Sequence, residues 1–344
     1  PPMALGRIFQ HDPERAITLA ERYGRCTGSQ AKRCGLNWVL APVCDINTNS
    51  SNPVINLRSW GSEPFKVSAL ACAFQKGLLA EGVFSCAKHF PGHGDTAVDS
   101  HIDLPILDHN IERLKECELK PFQAAIAQGA STVMTGHLLF RNLDSDFPAS
   151  LSKFFSTNLL RKELGFNGLV VTDALVMEAI TRRFGAGEAA VLAFEAGADL
   201  ILMSANVYEG IEALCKALIS GRISFQRLRQ SLERRGNLFS KIAKQEFNNP
   251  KAIDCMENNH RVQTKQDLVF AKELVEKSLV LRNTPLIQLD GPCINLLGID
   301  TLLDSRIITK NSPALCCPKE FGFKTLICHE LSILPWRDDE ESTL

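Results

Sequence analysis

Short apolar runs alternate along the first 245 residues with longer segments whose apolar positions recur at helical spacing. The longer segments predict helices at 12–35, 64–81, 109–128, 152–164, 187–196, 207–219 and 224–243. The apolar runs predict strands at 36–43, 83–87, 131–135, 168–172 and 198–203. Because these runs are continuously apolar, they are typical of parallel strands covered on both faces. The alternation therefore predicts a parallel sheet with crossover helices, either doubly wound or closed into a barrel.

Polar or adaptable residues follow the carboxyl end of each predicted strand. In chain order they are Asp45, Lys88 with His89, His137, Asp173, and Met203 with Ser204. In a closed barrel all these ends meet at one mouth, whereas distant strands of an open sheet would not share a site. The strand ends therefore favour the barrel.

The character of the chain changes near residue 245. Residues 246–265 are polar and predict a linker, and residues 266–344 predict a small C-terminal α/β unit. That unit would contain a helix near 266–277 and short apolar runs, and it ends in the acidic tail WRDDEESTL. We therefore expect a barrel over residues 1–245 followed by a second, smaller unit.

Composition narrows the class of protein. A net charge of −1 on 344 residues gives no field that would recruit nucleic acid or an anionic membrane. No apolar run approaches the roughly 18 residues that span a bilayer, and the first residues are not typical of a signal peptide. The twelve cysteines are scattered and form no CxxC pair, which predicts reduced thiols in a cytoplasmic protein.

The segment KHFPGHGDTAVDSH, residues 88–101, concentrates titratable side chains between glycines. Asp99 and His101 stand two residues apart, so the carboxylate could orient the imidazole as a general acid/base. A solvated loop with a chance pair is the alternative, and His93 and Asp95 repeat the same spacing. The H-x-x-x-H spacing resembles helical zinc ligands, but the proline and glycines exclude a helix, so we expect no metal site.

Other candidates lie at the strand ends or just after them. Asp173 in LVVTDALVM could attack an electrophilic carbon, or it could cap the next helix. Asp45 could accept hydrogen bonds from vicinal hydroxyls or form an Asx turn. Arg58, beside a tryptophan in NLRSWG, could clamp a carboxylate or hydroxyl, and Lys88 could hold an anion or a sugar hydroxyl. The alternative for Lys88 is a surface strand terminus, and that for Arg58 is an ordinary surface arginine.

Taken together, the motifs resemble those of a known family. KHFPGHGDTAVDSH followed closely by LP, with APVCDIN and NLRSWG upstream and GLVVTDALVM downstream, resembles the family 3 glycoside hydrolases. The closer resemblance is to the β-N-acetylglucosaminidase branch that recycles bacterial cell-wall fragments, and it covers about residues 1–245. It implies a TIM-type (β/α)8 barrel, a retaining mechanism and no cofactor. The family barrel begins with strand–helix units that are absent upstream of PPMALG, so a barrel lacking its first units is expected.

The resemblance also implies roles for the candidate residues. Asp173 matches the nucleophile, and His101 with its partner Asp99 matches the acid/base. The residues that would hold the N-acetylglucosamine are Asp45, Arg58, Lys88 and His89, with His137 and Met203 lining the same pocket. Two-domain relatives carry a longer second domain, so residues 266–344 could be a truncated or a divergent form of it.

Three functions follow from these observations. The first is a retaining β-N-acetylhexosaminidase acting on a small amino-sugar substrate, GlcNAc–anhydromuramyl peptide. The second is a phosphorylase of the same branch, which a histidine acid/base suits because a carboxylate would repel incoming phosphate. The third is a truncated, inactive barrel that only binds sugar.

Overall fold

A computed structural model describes residues 2–98, 103–247, 264–278, 294–298 and 324–328 of the chain. The chain divides into two compact units, Pro1–Leu279 and Val280–Leu344. The predicted linker and the acidic tail lie largely outside the described residues.

The helices of the described residues follow the predicted pattern closely. They are α1 (Pro2–Phe9), α2 (Pro13–Arg33), α3 (Pro64–Ala80), α4 (Ile111–Glu116), α5 (Lys120–Ala127), α6 (Glu178–Ala196), α7 (Val207–Ile219), α8 (Phe225–Phe247) and α9 (Lys265–Ser278), with a π-helix at Phe154–Glu163 and a 3-10 turn at Asn56–Arg58. Asp12 caps α2 as expected, because its side chain accepts a hydrogen bond from the Arg15 N–H at 2.9 Å. Within the described residues, no helix has the length and apolar character needed to cross a bilayer.

Three helices differ from the prediction. The predicted helix 109–128 is interrupted between α4 and α5, where Cys117 leaves helical geometry ahead of Pro121. The helix predicted at 187–196 begins nine residues earlier, at Glu178, and is kinked at Gly185, whose φ is +70°. The short helix α1 was not predicted at all. Its residue Gly6 lies so close to Trp60 that a Cβ atom would stand 1.7 Å from the Trp60 carbonyl oxygen.

The strands form parallel pairs. They are β1 (Cys86–Phe90), β2 (Ile106–Leu107), β3 (Thr132–Thr135), β4 (Leu139–Phe140), β5 (Leu169–Thr172), β6 (Ile294–Gly298) and β7 (Lys324–Cys328). In the first unit β1 pairs with β3 and β3 with β5. Parallel bridges from Trp38 to Phe84 and from Val171 to Leu200 add the predicted strands 36–43 and 198–203 on either side. Parallel neighbours in chain order are typical of strands in a (β/α)8 barrel.

Strand β1 lies three residues later than the predicted strand 83–87, so that Lys88 and His89 belong to the strand itself. The predicted strand 36–43 forms isolated bridges rather than a continuous ladder. Pro42 lies within it and has no N–H to donate, which accounts for the interruption. The second unit contributes the parallel pair of β6 and β7, with Ile294 opposite Lys324.

Close packing of α2 against α3 depends on two glycines. A Cβ atom on Gly24 would lie 2.0 Å from the carbonyl oxygen of Phe74, and one on Gly77 would lie 2.1 Å from that of Glu21. The indole of Trp60 is buried beside this contact, and its Nε1 donates to the Val43 carbonyl at 2.9 Å. The backbones of α2 and α3 are therefore in contact. Trp60 packs beside them and fixes the segment that follows the predicted strand 36–43.

Helix α9 lies in the first unit, although the sequence pattern placed residues 266–277 with the C-terminal unit. Its Phe270 is buried, with the Arg22 guanidinium 4.3 Å from the ring centroid. Asp267 accepts from Arg33 at 3.0 Å, and Glu273 pairs with Arg22 at 3.0 Å. Burial of one aromatic side chain stabilises such a contact by about 2 kcal/mol, and the partly exposed ion pairs add less.

The cysteines of the described residues are unpaired thiols: Cys26, Cys34, Cys44, Cys72, Cys86, Cys117 and Cys215. Burial raises the pKa of Cys72 to about 11 and that of Cys86 to about 12. The thiols of Cys72 and Cys86 are therefore protonated and unreactive at neutral pH. Cys44 and Cys86 are buried, whereas Cys34 and Cys215 are exposed, so the interpretation of the scattered cysteines as core thiols holds for only part of them.

Replacement of Gly24 by alanine should lower the free energy of unfolding by about 2 kcal/mol or more, because the methyl group has no room beside the Phe74 carbonyl. Gly236 is the matched control, since it is helical, exposed and has open space around it. Gly236→Ala should stabilise the protein by up to about 1 kcal/mol through helix propensity. Urea denaturation of both variants measures the difference, and equal stability of the two would contradict the α2–α3 contact.

Candidate active site

The carboxylate of Asp45 links the end of the predicted strand 36–43 to the end of β1 and to the loop that follows β1. Its Oδ1 accepts the backbone N–H of His93 at 2.7 Å and that of His89 at 3.1 Å. Its Oδ2 lies 2.7 Å from Nδ1 of His89. The side chain is completely buried. Both oxygens are thus engaged by the protein, so Asp45 acts here by orienting His89, in addition to any contact with a sugar.

Asp45 is an ionised group despite its burial. Burial raises the pKa of its carboxyl, but the neighbouring His89 and His93 and the hydrogen bonds from them lower it more, so the net pKa lies below the usual value. An ionised acceptor holds the Nδ1 proton of His89 in place. Nε2 of His89 then faces away from Asp45 and makes no hydrogen bond within the described residues.

Asp173 lies at the carboxyl end of β5, and its backbone N–H donates to the Thr135 carbonyl at 2.9 Å. Its Oδ1 accepts the Ala174 N–H at 2.8 Å, whereas Oδ2 makes no hydrogen bond within the described part of the chain. The helix-cap alternative is excluded, because the N-cap of α6 is Met177. One carboxylate oxygen is therefore fixed, and the other is available to an electrophile.

The electrostatic surroundings keep Asp173 deprotonated. Burial raises the pKa of the carboxyl, but His89 and His137, the Ala174 N–H and Lys88 lower it more, so that its net pKa is below the usual value. The same interactions show that β1, β3 and β5 bring these side chains into one cluster. The carboxyl ends of these three strands therefore lie close together, as predicted.

His137 contacts the turn that follows Asp173. It is completely buried, its Nδ1 lies 2.7 Å from Oγ of Ser150, and its Nε2 lies 3.0 Å from the Ala174 carbonyl oxygen. Because a carbonyl only accepts, Nε2 carries the proton and Nδ1 accepts from the serine hydroxyl. These contacts hold the turn after Asp173, and the expected place of His137 in the lining of the sugar pocket stays a prediction. Ser150 carried no sequence signal.

Two cations flank the cluster. Burial lowers the pKa of Lys88, and the nearby charge of Arg58 lowers it further, while Asp173 and Asp45 act in the opposite direction. Arg58 is exposed and ends the 3-10 turn, with its Nη1 donating to the Val54 carbonyl at 3.1 Å. Lys88 thus places positive charge near the carboxylate of Asp173, and Arg58 lies close to Lys88.

Met203 stands at the other side of the cluster, after the strand that pairs with β5. Its φ of +46° is in the left-handed region, and 62% of its surface is exposed. The preceding Leu202 N–H donates to Oγ1 of Thr172 at 3.0 Å, one residue before Asp173. This contact fixes Met203 next to the end of β5, where an apolar side chain can contact a bound ring.

The loop after β1 is held by residues that the sequence did not single out. Asn52 donates from Nδ2 to the His93 carbonyl at 2.8 Å and to Oγ1 of Thr96 at 3.1 Å. Thr96 Oγ1 also lies 2.9 Å from Nδ1 of His93. A Cβ atom on Gly94 would stand 1.7 Å from the Ile46 carbonyl oxygen, so only glycine allows the loop to approach this strand end.

The two histidine–aspartate pairs of the loop have different outcomes. His93 and Asp95 do not act together, because His93 faces Thr96 while Asp95 Oδ2 lies 3.1 Å from Nε2 of His109, outside hydrogen-bond geometry. Asp99 and His101, the predicted acid/base pair, lie outside the described residues. Their position relative to Asp173 therefore stays a prediction.

Comparison with protein-family models gives two matches. Residues 1–238 match the model described as glycosyl hydrolase family 3 N terminal domain. Residues 287–344 match that of the bacterial glycosyl hydrolase family 3 C-terminal domain. Together these matches span both units of the chain.

Individual relatives agree with the family models. The chain is 35% identical over 261 residues to beta-hexosaminidase A of Pseudoalteromonas piscicida, covering 70% of this chain and 43% of that protein. A solved family 3 beta-N-acetylglucosaminidase from Paenibacillus sp. str. FPU-7 superposes with a TM-score of 0.80 at 35% identity, over 96% of this chain and 62% of that one. The solved beta-glucoside phosphorylase BglX has a TM-score of 0.80 at 26% identity, over 97% of this chain and 61% of its own. The chain thus spans less than two thirds of the length of each relative.

The buried His93 should make stability depend on pH. Burial, with a smaller contribution from the nearby His89, lowers the pKa of His93 to about 4, whereas in an unfolded chain the imidazole titrates near 6.5. Between these values the unfolded state binds more protons, so the free energy of unfolding should rise from pH 4 to pH 6.5 by about 3 kcal/mol. Chemical denaturation across this range measures the slope.

His93→Gln should remove most of that slope, because glutamine keeps the backbone N–H to Asp45 but does not titrate. The matched control is His11→Gln, at an exposed position just after α1, which should keep the slope of the unmodified protein. An unchanged slope in His93→Gln would show that another group causes the pH dependence.

Proposed function

This chain belongs to glycosyl hydrolase family 3, and we propose that it hydrolyses terminal β-N-acetylglucosaminides with retention of configuration. The observation that carries the proposal is the carboxylate of Asp173. It is deprotonated, one oxygen is held by the Ala174 N–H, and the other has no partner in the described chain. The relatives named as hexosaminidase and N-acetylglucosaminidase supply the sugar class.

The first step of the proposed reaction is attack by Asp173 Oδ2 on the anomeric carbon. His101, oriented by Asp99, gives its proton to the glycosidic oxygen as the C–O bond breaks, and the aglycone leaves. The product is a sugar esterified to Asp173. In the second step the neutral His101 takes a proton from water, and the water oxygen displaces Asp173 from the anomeric carbon. Two inversions give overall retention.

The charges around Asp173 suit both steps. Its lowered pKa keeps it anionic before attack, and it also makes the carboxylate a good leaving group when water displaces it. As the anomeric carbon becomes cationic in each transition state, the fixed anion stabilises that charge. His137, held by Ser150, prevents the turn at Ala174 from moving as the ester forms.

Sugar binding is proposed to use the groups that border Asp173. Nε2 of His89, fixed by the Asp45 contact, can hydrogen-bond a ring hydroxyl. Lys88 and Arg58 donate to hydroxyl or acetamido oxygens, and Met203 covers an apolar face of the ring. We further propose GlcNAc–anhydromuramyl peptides as substrates of a cytoplasmic enzyme, a proposal that rests on the sequence motifs alone.

A phosphorylase is the second candidate, and one observation favours it. The cation of Lys88 lies near Asp173 and Arg58 lies close to Lys88, so an incoming phosphate would meet positive charge on that side. The likeness to a beta-glucoside phosphorylase points the same way, at lower identity. Turnover of an aryl β-N-acetylglucosaminide with and without phosphate separates the two reactions. Free N-acetylglucosamine as the product in both conditions indicates the hydrolase, and a phosphate-dependent sugar 1-phosphate indicates the phosphorylase.

Asp173→Ala should abolish this turnover, by a factor of about 10⁴ or more, because no nucleophile remains. The variant should keep a cooperative thermal melt, since the strand-end carboxylate contributes little packing. Asp103→Ala, at a carboxylate that is exposed, serves as the control and should retain activity. Normal turnover in Asp173→Ala would refute the mechanism, and a cooperative melt without turnover in the unmodified chain would favour the inactive sugar-binding barrel.

His101→Ala should lose activity selectively. Substrates with a nitrophenolate leaving group need no proton in the first step, so their glycosylation should fall far less than that of alkyl or sugar glycosides. Pre-steady-state bursts on the two substrate types measure this step. Equal losses on good and poor leaving groups would show that His101 is not the acid.

A further inference from the structure

A cleft of about 710 Å³ lies at the amino ends of the strands, away from Asp173, between the π-helix, the end of α6 and α8. None of the residues proposed for the sugar site line it. Its cationic wall consists of Lys153, Arg161, Lys162, Arg222, Arg227 and Arg234. The volume is within the usual range for small-molecule sites.

The floor of the cleft is organised by one carboxylate. Asp199 is completely buried, and its Oδ2 accepts the Val170 N–H at 3.1 Å and contacts Arg161 at 2.5 Å. Its Oδ1 lies 3.2 Å from Arg234 and 3.5 Å from Arg227. Three guanidinium groups therefore share a single negative charge.

Two of these arginines direct other donors to backbone carbonyls, although Nε of Arg161 has no hydrogen-bond partner within the described residues. Arg161 donates to the carbonyls of Gly168 and Gly197, each at 3.1 Å. Arg227 donates to the Phe194 carbonyl at 3.1 Å and stacks over the Phe194 ring. These two side chains serve mainly to hold the ends of the strands together.

Arg234 is different. Asp199 is its one hydrogen-bond partner among the described residues, which leaves most of its five N–H donors unused. It is about one quarter exposed, and it lines both this cleft and a neighbouring cavity of about 300 Å³ that also contains Lys241. Its guanidinium is thus placed where a ligand can reach it.

The positive charge of the cleft is not balanced by its acids. Arg222 is paired with Glu188 and Glu195, so it contributes little. Lys153 and Lys162 are exposed on the wall of the cleft and form no salt bridge within the described chain. The two lysines add to the positive charge of the arginines that Asp199 alone does not balance.

The arginines also act unfavourably on one another. Burial lowers the pKa of Arg161 to about 10, Asp199 raises it, and the charge of Arg234 lowers it again. Burial likewise lowers the pKa of Arg227. A bound anion would offset this repulsion between like charges.

We propose that this cleft binds a small phosphate-bearing anion through Arg234 on its floor and Lys162 on its wall. Arginine presents planar, paired donors that match phosphate oxygens, and a separate lysine favours a ligand with more than one negative charge. The site is independent of the proposed glycosidase reaction, because it shares no residue with it. Inorganic pyrophosphate is the probe.

Isothermal titration of the full chain with pyrophosphate at low ionic strength tests the site. Binding is expected for the unmodified protein, weakening as salt is added because the contacts are ionic. Arg234→Gln should weaken it about tenfold or more, the usual effect of losing a charge-assisted hydrogen bond. Lys162→Gln should weaken it about threefold, and this exposed position keeps the test valid should Arg234→Gln fail to fold.

Arg229→Gln is the matched control, since Arg229 is an exposed arginine of the same helix α8 that does not line the cleft. It should bind pyrophosphate as the unmodified protein does. The proposal is overturned when the unmodified chain shows no binding at millimolar pyrophosphate, or when Arg229→Gln weakens binding as much as the two cleft variants. Equal binding of citrate and pyrophosphate would overturn the phosphate class.

Discussion

The mouth of this protein depends on the buried carboxylate of Asp45. A charge removed from water must be satisfied by donors, and here they come from the backbone of His89 and His93 and from the imidazole of His89. Asp45 therefore ties together the end of the predicted strand 36–43, the end of β1 and the loop after β1, and these segments cannot move separately. The orientation of His89, and through it the surroundings of Asp173, follows from this one contact.

The groups around Asp173 prepare its carboxylate for reaction in the same way. Burial alone would favour its protonated form, yet nearby imidazoles, a lysine and a backbone N–H reverse the effect. His137 donates to the Ala174 carbonyl in the turn that follows Asp173, and Ser150 holds the His137 ring in place. A nucleophile is thus kept charged, partly desolvated and fixed in direction, which are the conditions that displacement at a sugar carbon requires.

The two ends of β5 serve different purposes. The carboxyl end presents Asp173 to the mouth, while the amino end is tied to Asp199 through the Val170 N–H. The arginines that converge on Asp199 hold the strand ends together, as is usual for the amino-terminal face of a barrel. Their side chains also line a cationic cleft on this face, which suits a bound anion.

The sequence by itself determined the alternation of strands and helices and the residues at the strand ends, because apolar periodicity and punctuation are local properties. It identified Asp173, Lys88 and His89 as neighbours, since parallel strands in chain order must bring their carboxyl ends together. It could not show that α9 packs in the first unit, that His137 bonds to the turn after Asp173, or that Ser150 and Asn52 hold neighbouring segments in place. Those are contacts between residues far apart in the chain, and polar residues carry no periodic signal of their partners. Only tertiary packing decided that both carboxylate oxygens of Asp45 are hydrogen-bonded by the protein, while Asp173 keeps one oxygen available for reaction.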